Sequence, residues 1–527
     1  MNILKTNRLL CLLALGALLL SCKGESGPEI GLRFAEGTDA LEIDAEGGSV
    51  EVGVEWEYCK WKISGESTGE TALGSISPVY GGTTGATGVS KVTLTVLPNN
   101  AKTAREITLK VEDTEGRISD AVTLVQTGVK PVSISIDPTK TYQTIDGFGA
   151  MNSWGDSDYW SKAECDLLFG KLGLDIMRLR IPTDESHWGN ILESAGYAKE
   201  TYGAKLLASP WSMPAAWKDT GSINGKDGET RSHLLESHYE DYALYLEKYA
   251  KYMADSGVAL YAISIQNEPD WPASYEGCYW SAEQMRAFAA GYAQLITSAK
   301  VSSGEPMGSN TSYWTAILDD DKARDNVDIL AGHLYGTGSM KSYSRAAQEG
   351  KPLWMTEHLL NDSWTDGTSH WAETMTMADE VSDCLTNGWN AYIWWYARRY
   401  YSFIGDGDQG TTKGTILPRG HAFGQFSRYI NPGDVRIGAT SSSDALRVSA
   451  FKGSDGRTAL VIVNDSAAAI DASVSLSGTV SEVEASFSSE SESSAALQVS
   501  VSGGELTFTL KGKSVSSISY RQKADVT

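Results

Sequence analysis

The chain has 527 residues, too many for one ordinary domain, so two or three folding units are expected. Acidic residues outnumber basic ones 67 to 44, for a net charge of −23. That charge excludes a nucleic-acid binder, which needs a basic stripe, and leaves any anionic ligand to be held by local positive charge.

The N-terminus reads as an export signal. Lys5 and Arg8 form a positive region, and the apolar stretch from Leu9 to Leu20 is too short to span a bilayer. It ends Leu19-Leu20-Ser21-Cys22, the form of a bacterial lipoprotein cleavage box. Residues 1–22 are therefore expected to be the signal and Cys22 the lipidated residue. The lipid would hold the protein to the outer membrane, at the cell surface or the periplasmic face, without spanning it. Residues 23–30 read as a Gly/Ser/Glu-rich tether.

Residues 31–129 are all-β in pattern. Polar and apolar residues alternate along Ser49–Trp56, Lys91–Leu97 and Glu106–Glu112, with turn residues such as Gly81-Gly82 and Asn99-Asn100 between such runs. Short alternating strands at this spacing predict a β-sandwich. The segment resembles the BACON-type modules that precede bacterial carbohydrate-active enzymes. It would serve as a spacer or bind carbohydrate, and no clear row of exposed aromatics favours the second.

From 144 to 429 the pattern becomes strand, loop and helix, repeated. Candidate strands are Thr144–Gly149, Ile176–Ile181, Lys205–Pro210, Tyr261–Asn267, Pro306–Asn310, Asp328–Leu334, Leu353–Glu357 and Ala391–Tyr396, with amphipathic helices such as Tyr239–Asp255 and Ala282–Ala299 between them. Eight strands with intervening helices predict a (β/α)8 TIM barrel, whose chemistry sits on loops at the carboxyl ends of the strands. From 430 to 525 the pattern is β-rich again, with strands at Leu446–Phe451, Ala459–Val463, Leu497–Val501 and Leu506–Leu510 and a polar loop at Ser486–Ser494. The strand-like Val132–Ile136 has no place in the barrel. Residues 130–143 are expected to join 430–525 in a side β-sandwich attached to the barrel. The multidomain expectation is thus a barrel with a side sandwich, preceded by a separate all-β sandwich.

Beyond Cys22, the thiols Cys59, Cys165, Cys278 and Cys384 follow no metal spacing and no dense disulfide frame, so buried free thiols are expected. No metal or organic cofactor is implied, and a monomer is expected.

Two carboxylates state a chemistry. Glu268 closes Tyr261-Ala-Ile-Ser-Ile-Gln-Asn-Glu-Pro269 and Glu357 closes Pro352-Leu-Trp-Met-Thr-Glu-His358, each at a candidate strand end. Two carboxylates facing each other across a sugar ring are the working parts of a glycosidase. Glu268 is placed as acid/base and Glu357 as nucleophile, and a gap of about 5–5.5 Å would mean retention. Supports stand nearby. Arg178 can hold Glu357 ionised. Tyr335 can bond the same carboxylate, Asn267 a sugar hydroxyl, and Trp211 can pack on a sugar face. His333 and His358 sit beside these positions, where a satisfied core histidine is the simpler expectation.

The motifs Gly147-Phe-Gly149, Met177-Arg178-Leu179, Ser209-Pro-Trp211, Gln266-Asn-Glu-Pro269, Gly332-His-Leu-Tyr-Gly336, Trp354-Met-Thr-Glu357 and Trp394-Trp-Tyr-Ala-Arg-Arg399 run in order across the barrel. Residues 131–522 resemble glycoside hydrolase family 30, retaining (β/α)8 enzymes with an attached β-sandwich. The resemblance implies Glu268 as acid/base and Glu357 as nucleophile. The segment Trp394 to Tyr401 is similar to the bacterial glucuronoxylanase branch. In that branch the residue matching Arg399 pairs with the carboxylate of a (methyl)glucuronic acid on xylan, helped by those matching Trp395, Tyr401 and Ser363. A guanidinium fork suits a planar carboxylate. Two departures are visible: Tyr401 is followed by Ser402, and Asp362 neighbours Ser363. The implied partner is uronic-acid-branched xylan. Alternatives are a β-glucosidase, a β-1,6-glucanase or an unbranched-xylan hydrolase of the same family, or a non-catalytic glycan-binding lipoprotein.

Overall fold

The computed structural model describes residues 27–337, 342–360 and 370–523, in two compact units that divide between Lys130 and Pro131. Cys22 and Ser363 lie outside the described residues.

The N-terminal unit is all-β. One sheet runs Gly31–Phe34, Gly48–Glu57, Thr87–Val96, Leu73–Ser77; the other runs Glu42–Ile43, Ser119–Gln126, Arg105–Asp113, Lys60–Ser67, Tyr80–Gly82. Burial alternates along the whole of Arg105–Asp113, as a strand with one buried face requires. Trp61, Val54, Leu94, Leu109 and Leu124 meet between the sheets.

The second unit holds a barrel of eight parallel strands: β1 Gly147–Met151, β2 Ile176–Ile181, β3 Lys205–Pro210, β4 Ala262–Ser264, β5 Lys300–Ser302, β6 Leu330–His333, β7 Leu353–Glu357 and β8 Ala391–Trp394. Adjacent strands pair in parallel, and a bridge from Ser302 to Ile329 closes the barrel between β5 and β6. The helix Tyr239–Asp255 lays Tyr242, Leu246, Tyr249 and Met253 against the barrel, the i, i+4, i+7 stripe of an amphipathic helix.

The side sandwich takes strands from both flanks of the barrel. Val132–Thr144 pairs antiparallel with Val435–Ser441 and parallel with Ile470–Ser475, within a sheet system of ten strands. Phe451, Val461, Val463 and Val515 of this sandwich are buried in the same apolar cluster as the barrel helices, so the two share a core.

Three local expectations are corrected. The fifth strand is Lys300–Ser302, not Pro306–Asn310. Three residues are too few to show an alternation, and Pro306 lacks the N–H a ladder needs. The helix expected over Ala282–Ala299 ends at Gly291, and a short 3-10 turn at Ala293–Leu295 follows it. The serine-rich stretch is not all loop, because Thr479–Ser489 is a strand. Two of its buried hydroxyls find partners on the helix Pro418–Ser427: Ser486 donates to Gln425 Oε1 at 3.0 Å, and Gln425 Nε2 donates to Ser488 Oγ at 3.1 Å.

Candidate active site

Side chains that face into a barrel recur every second residue along a strand. Ile176, Leu207, Ala262, Ile329, Trp354 and Ala391 form an apolar plug low in this barrel. Two positions above Ile176 and Leu207 stand Arg178 and Ser209, and the interior turns polar there: Arg178 Nε donates to Ser209 Oγ at 3.2 Å. The same step on β8 leads from Ile393 to Trp395, at the mouth.

Arg178 is fully buried and is the hub of the site. Its Nη1 donates to Glu357 Oε2 at 2.6 Å and its Nη2 to Asn267 Oδ1 at 2.6 Å, while Glu305 Oε1 lies 3.2 Å from Nη2. The Trp211 ring covers the guanidinium at 4.9 Å. Tyr335 donates its hydroxyl to Glu357 Oε1 at 3.0 Å, so each oxygen of Glu357 accepts one bond. Tyr335 itself remains a phenol, since burial and the charges of Glu357 and Glu268 raise its pKa well above the usual value.

Glu268 follows β4 in a tightly braced segment. Gln266 Nε2 donates to the carbonyls of Trp211 at 2.7 Å and Asn267 at 2.8 Å, and the Glu268 N–H donates to the carbonyl of Glu305 at 3.0 Å. Glu268 has φ 45°, in the left-handed region, a strain of about 1–3 kcal/mol that collects at functional positions. Its Oε1 lies 3.2 Å from His333 Nδ1. A carboxylate oxygen of Glu268, one of Glu357 and a ring nitrogen of His333 all lie within 4.8 Å of one another.

The two carboxylates open into a cavity of about 640 Å³ whose walls include Trp154, Trp211, Trp271, Tyr275 and Trp395. Trp271 and Tyr275 are each 44% exposed, so their rings are available as platforms. A larger cavity of about 990 Å³, between the helix Trp371–Thr386 and the side sandwich, contains neither carboxylate.

Charge sets the chemistry of this cluster. Burial would raise the Glu305 pKa, but Arg178 and His333 outweigh it and hold the carboxyl well below the usual range. Burial would lower the His333 pKa, but Glu357, Glu268 and Glu305 outweigh it and raise it to about 9. His333 is therefore a cation at neutral pH, paired with the carboxylates around it rather than only filling the core. Burial also raises the Glu357 carboxyl, opposed by His333 and Arg178 and reinforced by the Glu268 charge. Arg178 and Tyr335 give Glu357 two donors that favour its anion, and these decide where the negative charge rests. Glu268, His333 and Glu357 have the composition of a metal site. Arg178, however, already supplies Glu357 with the positive charge a metal would bring.

The remaining expected residues separate into two groups. Trp395 packs on Trp211 at 5.8 Å and lines the cavity. Arg399 sits over the rings of Tyr400 and Tyr401 at 5.4 and 5.8 Å, and its Nη1 lies 3.6 Å from Asp406 Oδ2. Tyr401 is buried beneath it, its carbonyl accepting from Arg419 at 2.6 Å. Arg398 turns away to Glu164 at 2.9 Å and to Asp158. His358 bonds Glu380 at 2.8 Å and touches the Tyr335 ring edge at 4.9 Å. Glu305 follows β5 at Lys300–Ser302, whereas a strand at Pro306–Asn310 would leave it in the preceding loop with no place in the site. Trp154, Trp271 and Tyr275 carried no signal that set them apart from other aromatics, although Trp271 lies just three residues after Glu268.

Family models match twice: a glycosyl hydrolase family 30 TIM-barrel domain at residues 182–342, and a glycosyl hydrolase family 30 beta sandwich domain at 433–518. The chain is 32% identical over 393 residues to glucuronoxylanase XynC of Bacillus subtilis strain 168, covering 72% of this chain and 90% of that protein. It is similar to two solved structures. The family 30 subfamily 8 xylanase Xyn30A of Clostridium acetobutylicum has 31% identity and a TM-score of 0.67, covering 74% of this chain and 99% of that one. A family 30 endoxylanase of Clostridium papyrosolvens C71 has 32% identity and a TM-score of 0.66, covering 74% of this chain and all of that one (100%). With its barrel, its side sandwich and a relative matched at this level over nearly its whole length, the chain belongs to glycoside hydrolase family 30.

Proposed function

We propose that the protein is a retaining endo-β-1,4-xylanase that cleaves glucuronoxylan beside its (methyl)glucuronic acid branches. The observation that carries this reading is that one oxygen of Glu268 and one of Glu357 lie within 4.8 Å of each other at a shared cavity, an approach that suits the close carboxyl pair of a retaining glycosidase. The relatives named as glucuronoxylanase and xylanases support the substrate class.

In the first step Glu268 gives its proton to the leaving oxygen while Glu357 attacks the anomeric carbon, forming a glycosyl-enzyme. In the second, Glu268 takes a proton from water, and the hydroxyl releases the sugar from Glu357. Arg178 and Tyr335 aim the nucleophile. Asn267 has its carbonyl oxygen bound to Arg178, and its amide nitrogen, without a protein partner among the described residues, is left for a sugar hydroxyl. Trp211 and Trp395 bracket the sugar face. Arg399, with Trp395, Tyr401 and Ser363, takes the uronate. Cys22 carries the lipid that tethers the enzyme to the outer membrane, with residues 31–129 as a BACON-like spacer.

One observation favours a second reading within the family. Asp406 already stands beside Arg399, so that an internal carboxylate competes with the uronate, and an unbranched xylan would then be cleaved as well. A product profile on glucuronoxylan, arabinoxylan and linear xylan separates the two. Products that all carry a uronate at a fixed distance from the reducing end support the first reading. Equal cleavage of linear xylan supports the second, and no cleavage of any of the three refutes both.

A further inference from the structure

Beneath the two carboxylates of the cleft lies a third, Glu305, which never meets solvent. It follows β5 and is stitched to the segment that carries Glu268: its N–H donates to the Gln266 carbonyl at 2.9 Å, and its carbonyl accepts the Glu268 N–H at 3.0 Å. Its side chain approaches two cations, Arg178 Nη2 at 3.2 Å and His333 Nε2 at 3.8 Å. Neither of its oxygens completes a hydrogen bond of good geometry, so its hold on them is mainly charge. Each cation also serves a working carboxylate: Arg178 bonds Glu357 at 2.6 Å, and His333 lies 3.2 Å from Glu268.

The charge count explains the arrangement. The groups facing His333 are Glu268, Glu305 and Glu357, with Arg178 repelling it and the Tyr335 ring edge-on at 6.1 Å. With Glu305 and Glu357 ionised, Arg178 and His333 are both balanced before Glu268 is counted. Remove Glu305, and two buried cations face one permanent anion. Arg178 cannot discharge, because a guanidinium keeps its proton. His333 can.

We propose that Glu305 is a positioning residue for hydrolysis, keeping His333 a cation so that its Nδ1–H supports Glu268 each time Glu268 has given up its proton. This rests on the reading of Glu268 as acid/base. The only proton that moves is the one Glu268 passes to the leaving oxygen and regains from water; His333 holds its own throughout. A buried anion on the far ring nitrogen lets the imidazolium stay charged as Glu268 cycles between carboxylic acid and carboxylate.

The test uses the full chain and its Glu305→Gln and Glu305→Asp variants. The pH profile of kcat/KM on xylan is measured beside the titration of the His333 ring by NMR. For Glu305→Gln we expect kcat to fall at least tenfold with KM little changed, and the alkaline limb to move toward neutrality by about one pH unit or more, because losing a negative charge lowers the pKa of its neighbours. His333 should titrate lower by a similar amount, and Glu305→Asp should recover part of both. A folded Glu305→Gln protein with an unshifted profile and unshifted His333 overturns the proposal, as does a pH-independent loss of rate. Should Glu305→Gln fail to fold, Glu305→Asp beside the unaltered chain decides: His333 titrating in the ordinary histidine range in the unaltered chain, or unmoved in Glu305→Asp, overturns the proposal, and a His333 titration and alkaline limb that shift together in Glu305→Asp uphold it. Glu268→Gln separates the two readings. Full activity in that variant defeats the acid/base reading itself, whereas its inactivity beside an unshifted Glu305→Gln profile defeats only the role of Glu305.

Discussion

Arg178 Nη1 and Glu357 Oε2 meet at 2.6 Å, the arginine fully buried and the glutamate nearly so. The two residues are 179 positions apart in the chain, on β2 and β7, and face each other through the barrel interior. The pair is both a structural brace and the means of keeping an anion at a buried, otherwise unfavourable position.

Removing one partner of such a pair leaves a buried charge alone. Arg178→Met should cost about 3–5 kcal/mol of stability in the unit that holds the barrel, and should abolish xylan hydrolysis. Chemical denaturation beside an activity assay reads both. A variant of unchanged stability would show that the pair is not buried as described.

Tyr335→Phe removes one hydrogen bond to a charged acceptor and little packing. A loss of about 1.5–3 kcal/mol of transition-state stabilisation is expected, or roughly 10- to 150-fold in kcat/KM, with the unfolding midpoint nearly unchanged. Michaelis kinetics and a melting curve check it.

Glu268→Gln should lower kcat on xylan by about 10²–10⁴-fold, the range for a general acid. An aryl glycoside whose leaving group needs no proton should be spared in the first chemical step, visible as a burst of phenol followed by slow turnover. Equal losses on both substrates would count against the acid role.

Asp406→Asn should favour branched substrate, because Arg399 then loses its internal carboxylate partner. The ratio of kcat/KM on glucuronoxylan to that on linear xylan should rise by roughly two- to fivefold, in keeping with the ~1 kcal/mol of a partly exposed ion pair. Arg399→Ala should lower the same ratio without changing hydrolysis of linear xylan. An unmoved ratio in both variants would remove Arg399 from the specificity site.

Stability should also depend on pH through His333. Its pKa rises from 6.5 to about 9 on folding, because Glu357, Glu268 and Glu305 outweigh its burial. The folded chain therefore binds this proton more tightly than the unfolded chain, and the stabilisation is complete below the unfolded value and is lost as pH climbs through the folded one. Urea midpoints should fall between about pH 6.5 and about pH 9, and the fall should flatten in His333→Gln.

Some residues of the site were legible because strand geometry makes them so. Leu353-Trp-Met-Thr-Glu357 is a buried run with a carboxylate at its end, and burial along all five positions is what the barrel shows. Arg178 lies two residues above an interior isoleucine, and Tyr335 just past β6, so both could be matched to Glu357 from position in the barrel alone. Glu305 could not. Its strand has three residues, too few to show an alternation, and the strand expected at Pro306–Asn310 lies downstream of it. His333 looked like any buried histidine, since nothing in a linear sequence counts the anions around a ring. Arg399 was marked out by the resemblance of Trp394–Tyr401 to the glucuronoxylanase branch, but its neighbour Asp406 depends on how the loop after β8 folds back.

By itself, then, the sequence determined which residues bury, which stand at strand ends, and hence that two glutamic acids would rise from one barrel mouth. Periodicity and strand-end position are local properties, carried by neighbours along the chain. Only the closed barrel decided the distance between those glutamates, the sharing of Arg178 and His333 with a third carboxylate, and the charge each group bears. Electrostatic energy depends on separation and burial, and both are settled only when distant strands meet.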